Sequence, residues 1–587
     1  MESLPTVRVG DAAKIWPMSV QSSAGQSGTS EIAAPDAPPP GRRRRTGRRE
    51  VGLVAAYALP FVVFFTLCVA LSRTVVMDSD AADNALQGLA LLHGHLLLHG
   101  WIIGDATYYT FELPLYAVLE AVLGFHPLTT HIEAAAAFTI VAILAAAIAK
   151  HRARGVEGAV RIGIVLALLV AAMDSGADYV VGQNSGLSGP VLLLAEPNHS
   201  GTCVFLLASI LLLQRKPSWR ATPWLLFTIL VLGQLDDATV RYLFVGSVLI
   251  VFGWRAIAAR EWRGRDAVIA FAALCSVPGS LLLRKALLAV GAYTMVPAPT
   301  AIAGPGQWFG HLKTTLEQIP QLFGADTIHG LTTLELLCFA ISVLAIAAVA
   351  YGFLRGLFTW FRADPTDQLL VLGILAYLGG YIASTEVGPT NLHEFSGVLP
   401  VFAALAARKL PARLASYRAA LPVVALAALI PMAAGVATRP VQTSPSAALA
   451  SWLEAHNLHY GIAGYWEASS VTLASGNAVQ VRAVLNNGSS LAEKNWETAA
   501  DLTDRSALAA YNWETQASWY DPKVNDATFL ISNYQDPGDW YGLDPASVES
   551  ILGKPTTIAQ VGSYEVMIYS YNLLDRVIPA NPIPHSE

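Results

Sequence analysis

Residues 51–72 (VGLVAAYALPFVVFFTLCVALS) are about 22 residues of nearly unbroken apolar sequence, enough to cross a bilayer core of roughly 30 Å. Ten further apolar stretches follow, at about 132–148, 160–173, 202–213, 223–235, 242–254, from 267 onward, 331–354, 369–383, just before Ala407-Arg408-Lys409, and 420–436. A chain that repeats such segments has few options other than a helical bundle in lipid, because lipid leaves backbone groups to satisfy themselves. Of the 587 residues, 54% are hydrophobic and 14% charged. Soluble domains carry about 25% charged residues.

Charge sorting orients the bundle. Arg42 to Arg45, with Arg48 and Arg49, precede the first span and hold that end in the cytoplasm. Counting inward and outward in turn, nearly every Lys/Arg cluster falls on the cytoplasmic side, and the outer loops hold Arg73, Arg241, Arg284, Lys285 and Lys313. Eleven spans are expected in the plasma membrane, with a cytoplasmic N-terminus and the remainder after 438 outside. No small-residue cleavage site follows the first span, so it is expected to be retained. Residues 1–50, rich in Ser, Ala, Gly and Pro, read as a disordered cytoplasmic tail.

The first outer loop, 73–131, is long and only partly polar. Its apolar pieces 86–98 and 113–123 are too short or too broken to span, and read as helices lying in the membrane surface. The stretch 101–109 between them carries the Trp and Tyr suited to headgroup depth. Residues 51–438 are thus read as the membrane domain. Residues 439–587 change character: helix-like 448–456 and 546–552 alternate with strand-like 460–462, 470–473, 479–484, 528–531 and 564–569. That mixture predicts a small extracytoplasmic α/β domain, so the fold class is all-α polytopic with an α/β appendage.

Several function classes drop out. A net charge of −6 argues against nucleic acid. Cys68, Cys203, Cys275 and Cys338 all lie in apolar segments, which suits neither a disulfide framework nor a metal knuckle. His93, His95 and His99 are spaced i, i+2, i+6, which does not suit a zinc site on a helix. The C-terminal part has no phosphate loop and no nucleophile elbow.

What remains is acidic. Just past the first span the chain reads Met77-Asp78-Ser79-Asp80-Ala81-Ala82-Asp83-Asn84. Carboxylates at a membrane exit do little to stabilise a span and suit a reaction or ion site at the surface. Asp83 fits a helix cap, whereas Asp78 and Asp80 are the candidate reacting groups. The outer cations Arg241, Arg284 and Lys285 suit a lipid phosphate. His199 and the pair His393-Glu394, at outer ends of spans, could approach the same group. Trp466, Trp496, Trp513, Trp519 and Tyr520 could stack on sugar rings, though aromatic core packing is the default.

The order of tail, one span and a long outer loop opening with acids resembles the GT-C superfamily of membrane glycosyltransferases, over roughly residues 51–440. That group includes protein mannosyltransferases, aminoarabinose transferases and actinobacterial arabinosyltransferases. The sequence departs from its pattern at Phe111-Glu112-Leu113-Pro114, where many members have Pro-Pro-Leu, and at Asn391-Leu392-His393-Glu394-Phe395, where many have Arg-Tyr. The resemblance implies transfer of a sugar from a polyprenyl-phosphate lipid to a glycan, lipid or protein acceptor on the outer face. One of Asp78 and Asp80 would act as base, with the other positioning the acceptor or a divalent cation such as Mg²⁺ or Mn²⁺. Direct displacement would invert the anomeric carbon. Two other classes stay open: a non-catalytic membrane protein whose outer domain binds a partner or glycan, and a secondary transporter. The latter is expected to show internal repeats and broken helices at mid-bilayer.

Overall fold

Each of the eleven apolar stretches lies on a helix in the computed structural model, which describes residues 43–173, 187–195, 199–215, 218, 220–296, 301–326, 332–388, 391–486, 507–533 and 541–580. From Tyr57 onward these residues form one compact unit. Of the tail expected over 1–50, only 43–50 are described, and they belong to the helix Arg43–Ser72. Arginine is a good helix former, so a basic run readily continues the helix of the span behind it.

Among the described residues six helices are long and apolar enough to cross a membrane: Pro127–Lys150, Arg241–Ala259, Arg265–Ala289, Thr333–Phe358, Pro365–Ala383 and Ala420–Thr438. The bent pair Gly189–Ala195 and Ser200–Arg215 makes a seventh if it counts as one span. Length and composition therefore support fewer crossings among the described residues than the eleven expected from charge. The difference lies in short helices. Gly155–Val170 has 16 residues and Val398–Lys409 has 12, so they rise about 24 and 18 Å, less than the bilayer core. Residues 398–407 are buried throughout, and this helix packs between Pro127–Lys150, Gly155–Val170, Thr333–Phe358 and Pro365–Ala383. Its basic end is matched locally: Arg408 reaches Asp367 (2.5 Å) and Asp364 (2.8 Å), and Lys409 reaches Asp367 (2.7 Å).

The loop 73–131, expected on the outer side from charge and called the first outer loop on that ground, folds into two helices and a strand. Ser79–Leu92 begins seven residues before the apolar stretch expected there, and it stops where Gly94 takes a left-handed φ of 90°. Glu112–Leu123 ends likewise at Gly124 (φ 79°) and is two-sided, with Leu113 and Tyr116 buried and Val118 and Val122 exposed. Between them, strand β1 (Trp101–Ile103) pairs in parallel with β2 (Thr294–Met295) and antiparallel with β6 (Thr515–Gln516). One small sheet thus joins the first outer loop, the chain after Arg265–Ala289 and the C-terminal part.

The C-terminal part is built on a seven-stranded sheet. Its strands are β3 (Tyr460–Ala463), β4 (Gln480–Asn486), β5 (Leu508–Ala510), β7 (Phe529–Ser532), β8 (Thr557–Val561), β9 (Tyr564–Ile568) and β10 (Val577–Ile578), in the order β10-β5-β4-β3-β7-β9-β8. The stretch 470–473, expected to be a strand, is instead inside the helix Tyr465–Ala474. The reason is topological. β3 and β4 run parallel, and parallel neighbours need a crossover of a dozen or more residues, so the β-branched Val471 and Thr472 are drawn into its helix. That helix packs against Ser79–Leu92, with Leu473 buried among Ala82, Ala85 and Tyr116.

Candidate functional site

The acidic loop is a helix start. Asp78 is 1% exposed and caps Ser79–Leu92, its carboxylate accepting from the Ala81 N–H (3.4 Å). The cap role expected for Asp83 falls on Asp78 because the helix begins at Ser79. Asp83 lies inside the helix, buried, and accepts from the Ser469 hydroxyl. Asp80, in the first turn and only partly buried, accepts at Oδ1 from the Tyr465 hydroxyl. Ser79 Oγ donates to the Tyr465 carbonyl (2.6 Å) and lies 3.2 Å from Ser470 Oγ. Burial and the Asp78 charge raise the Asp80 pKa to about 7, against the lowering effects of Tyr465 and His393. Glu514, on the C-terminal part, is also pushed well up by burial and by the Asp80, Asp83, Asp105 and Asp78 charges.

A second arrangement adjoins the first through His393. His199 precedes the helix Ser200–Arg215 with a left-handed φ of 51°. Its Nδ1 is 2.6 Å from Asp237 Oδ2 and its Nε2 is 3.1 Å from Glu394 Oε2. Asp237 also accepts from the Thr202 hydroxyl and from the Thr239 N–H (2.7 Å), and His393 Nε2 lies 3.4 Å from Glu394 Oε1. Burial alone would lower the His199 pKa, but the charges and hydrogen bonds of Asp237 and Glu394 raise it well above the ordinary imidazole value. The imidazolium in turn outweighs burial and holds both carboxylates below their usual range. Asp105, from the first outer loop, lies in the same field: burial and the Asp237 charge raise its pKa to about 6, while His199 lowers it.

Asp236 ties the end of the helix Ala221–Asp236 to the start of Glu112–Leu123. Its Oδ1 accepts from Thr110 N–H (2.7 Å), Thr110 Oγ1 (2.9 Å) and Phe111 N–H (3.0 Å), satisfying donors at the start of Glu112–Leu123 from a residue about 125 positions away. Glu112 Oε1 accepts from the Gly201 N–H (2.5 Å). A Cβ on Gly201 would fall 2.7 and 2.9 Å from the Glu112 oxygens and closer still to Asp236 Oδ2. Gly201→Ala is therefore expected to lower stability by about 1–3 kcal/mol, read as an earlier thermal transition in detergent.

Beside Asp105 opens a cleft lined by Arg241, Arg284, Gln234 and Ser280. Arg241 Nε donates to Gln234 Oε1 (3.4 Å), which also accepts from Ser280 Oγ (3.3 Å). Arg241 and Arg284 thus share one cleft, whereas Lys285, grouped with them on sequence, is exposed and outside its lining. Among the described residues no group of three or more His, Cys, Asp and Glu side chains is arranged to hold a metal ion. Trp519 packs against Trp101 (5.0 Å) and beneath the Arg482 guanidinium (3.8 Å) and serves the domain core; Trp496 lies outside the described residues.

No protein-family model matches the chain, and no curated protein matches it in sequence. Solved structures do match in shape. ArnT from Cupriavidus metallidurans in the apo state aligns over 92% of this chain and 100% of its own, with a TM-score of 0.51 and 11% identity. The same protein bound to undecaprenyl phosphate aligns over 90% of this chain and 100% of its own, with a TM-score of 0.49 and 11% identity. The chain shares its fold with ArnT. It is a multi-pass membrane protein.

Within this fold, His199, His393 and Glu394 come together as one group, and Asp80 lies within the field of His393. Asp105, Asp237 and Tyr465 were not singled out on sequence. Asp237 carried a usable signal, an Asp-Asp pair at the end of an apolar span. Tyr465 carried none, since its partner lies 385 positions away.

Proposed function

We propose that the protein is a glycosyltransferase that moves a sugar from a polyprenyl-phosphate lipid to a cell-envelope acceptor on the outer face of the plasma membrane, with its N-terminus in the cytoplasm. The observation that carries this reading is a partly exposed carboxylate, Asp80, fixed by Tyr465 and within the field of His393, together with a cleft that carries two arginines beside Asp105. A glycosyl phosphate already has a good leaving group, so the reaction needs a base for the acceptor and cations for the phosphate. Asp80 takes the acceptor hydroxyl proton as that oxygen forms its bond to the anomeric carbon. The bond from that carbon to the phosphate oxygen breaks on the opposite face, inverting the centre and releasing polyprenyl phosphate. Arg241 and Arg284 bind the phosphate and hold the charge that grows on it. Asp78 is occupied as a helix cap, which favours Asp80 as base.

The test is to supply the purified protein with a panel of polyprenyl-phosphate-linked sugars and follow release of polyprenyl phosphate and transfer of the sugar. Consumption of no donor would overturn the reading in favour of a binding protein. With an active donor, Arg241→Ala or Arg284→Ala is expected to raise the donor KM about tenfold or more, the scale of one charge-assisted hydrogen bond, with a smaller change in kcat. An unaltered KM in both variants would remove the cleft as the phosphate site.

A further inference from the structure

The C-terminal part does more than cover the acidic loop. Tyr465 opens the helix Tyr465–Ala474 directly after β3 and is 3% exposed. Its two ends are both tied to the loop: the carbonyl accepts from Ser79 Oγ at 2.6 Å, and the hydroxyl donates to Asp80 Oδ1. Its ring is wedged against Trp466 (5.1 Å) and Tyr511 (5.2 Å), and Tyr511 is backed by Tyr541 (5.6 Å). The hydroxyl is thus delivered to the carboxylate by a side chain with little freedom of its own. Asp80 Oδ2, in contrast, has no hydrogen-bond partner among the described residues. The charged and titratable groups around that carboxylate are Asp78 and Asp83 on its own helix, Glu514 and Tyr465 from the C-terminal part, and His393 from the membrane domain.

We propose that Tyr465 is a positioning residue for the transfer step: by holding Oδ1 it fixes the plane of the Asp80 carboxylate and leaves Oδ2 presented to the acceptor hydroxyl, so that the C-terminal domain completes the active site. The inference rests on the reading of Asp80 as base. A terminal carboxylate torsion is broad, and a base that swings out of line loses rate steeply, so one fixed oxygen is worth a large factor in kcat and little in substrate binding. Ser469 supplies an internal control. It lies on the same helix and donates to Asp83, so it shares the docking of the two helices without touching Asp80.

The experiment uses the full-length protein, each polyprenyl-phosphate-linked sugar of the panel supplied singly, and release of polyprenyl phosphate as readout. Tyr465→Phe is expected to lower kcat about tenfold or more with donor KM within about twofold, while Ser469→Ala keeps kcat and shows a similar thermal transition. In an Asp80→Asn background, Tyr465→Phe is expected to cause no further loss, because the group it positions is gone. Equal losses from Tyr465→Phe and Ser469→Ala, or losses that multiply in the double variant, would overturn the proposal and leave Tyr465 as a docking contact. A damaged Asp80→Asn with an unimpaired Tyr465→Phe overturns this inference alone. An Asp80→Asn of parental activity, or a parent that consumes no donor, overturns the function reading and this inference with it.

Discussion

Asp80→Asn is expected to lower turnover by about 10²-fold or more while the protein still inserts and folds, because asparagine keeps the size of the side chain and cannot accept a proton. Asp78→Asn loses far less, since asparagine caps a helix nearly as well as aspartate and a cap is worth about 1 kcal/mol. The pH dependence follows from the raised pKa of Asp80, about 7. Only the carboxylate accepts the acceptor's proton, so kcat declines as the pH falls below about 7 and levels off above it. Initial rates of the parent and both variants across this range check the expectation. If Asp78→Asn proves the damaging change and Asp80→Asn the mild one, the base is Asp78 and the cap is secondary.

The second large effect is on stability. In His199→Ala, Asp237 and Glu394 lose the partner between them, and removing the shared partner of a part-buried ionic group costs about 1–3 kcal/mol, less than for a fully buried one. Thermal unfolding in detergent should show it as a marked fall in the transition. His199→Gly separates the two contributions at this position, because glycine accepts the left-handed φ of 51° and should recover roughly 1–2 kcal/mol of backbone strain while still lacking the imidazole. Equal transitions for the two variants would mean that the backbone is not strained. The pH dependence has a definite sign. His199 has a raised folded pKa, so its contribution is complete below about 6.5, the unfolded value, and is lost as pH rises through the folded one. Asp237 and Glu394 have lowered pKa values, so theirs is present above about 4 and is lost as pH falls through the folded values.

The helices were legible from apolarity alone, since a long apolar stretch needs no tertiary information to be recognised. Their number as crossings was less so: the ten buried residues at 398–407 look in sequence much like part of a span, and only their packing places them inside the bundle. The acidic loop was legible as a feature, but which acid caps depends on where the helix begins, and it begins seven residues before the apolar stretch that marked it. Grouping Lys285 with Arg284 assumed that neighbours point together, whereas consecutive residues on a helix diverge by about 100° and only Arg284 lines the cleft. The chain of Asp237, His199 and Glu394 draws on segments 38 and 195 positions apart, which no local pattern encodes.

The bond from Ser469 to Asp83 spans 386 positions, and β1 finds one of its two neighbours only at 515–516. A chain made at about 5–20 residues per second must therefore leave its first outer loop unfinished for roughly 20–80 s after that loop is synthesised. During that interval the edge of β1 facing β6 and the carboxylates of Asp80 and Asp83 wait without the partners they will later hold. The loop that follows the first helix is among the last parts of the protein to be completed, and a ribosome that stops before the C-terminal sheet leaves behind a membrane bundle whose acidic loop has never been assembled.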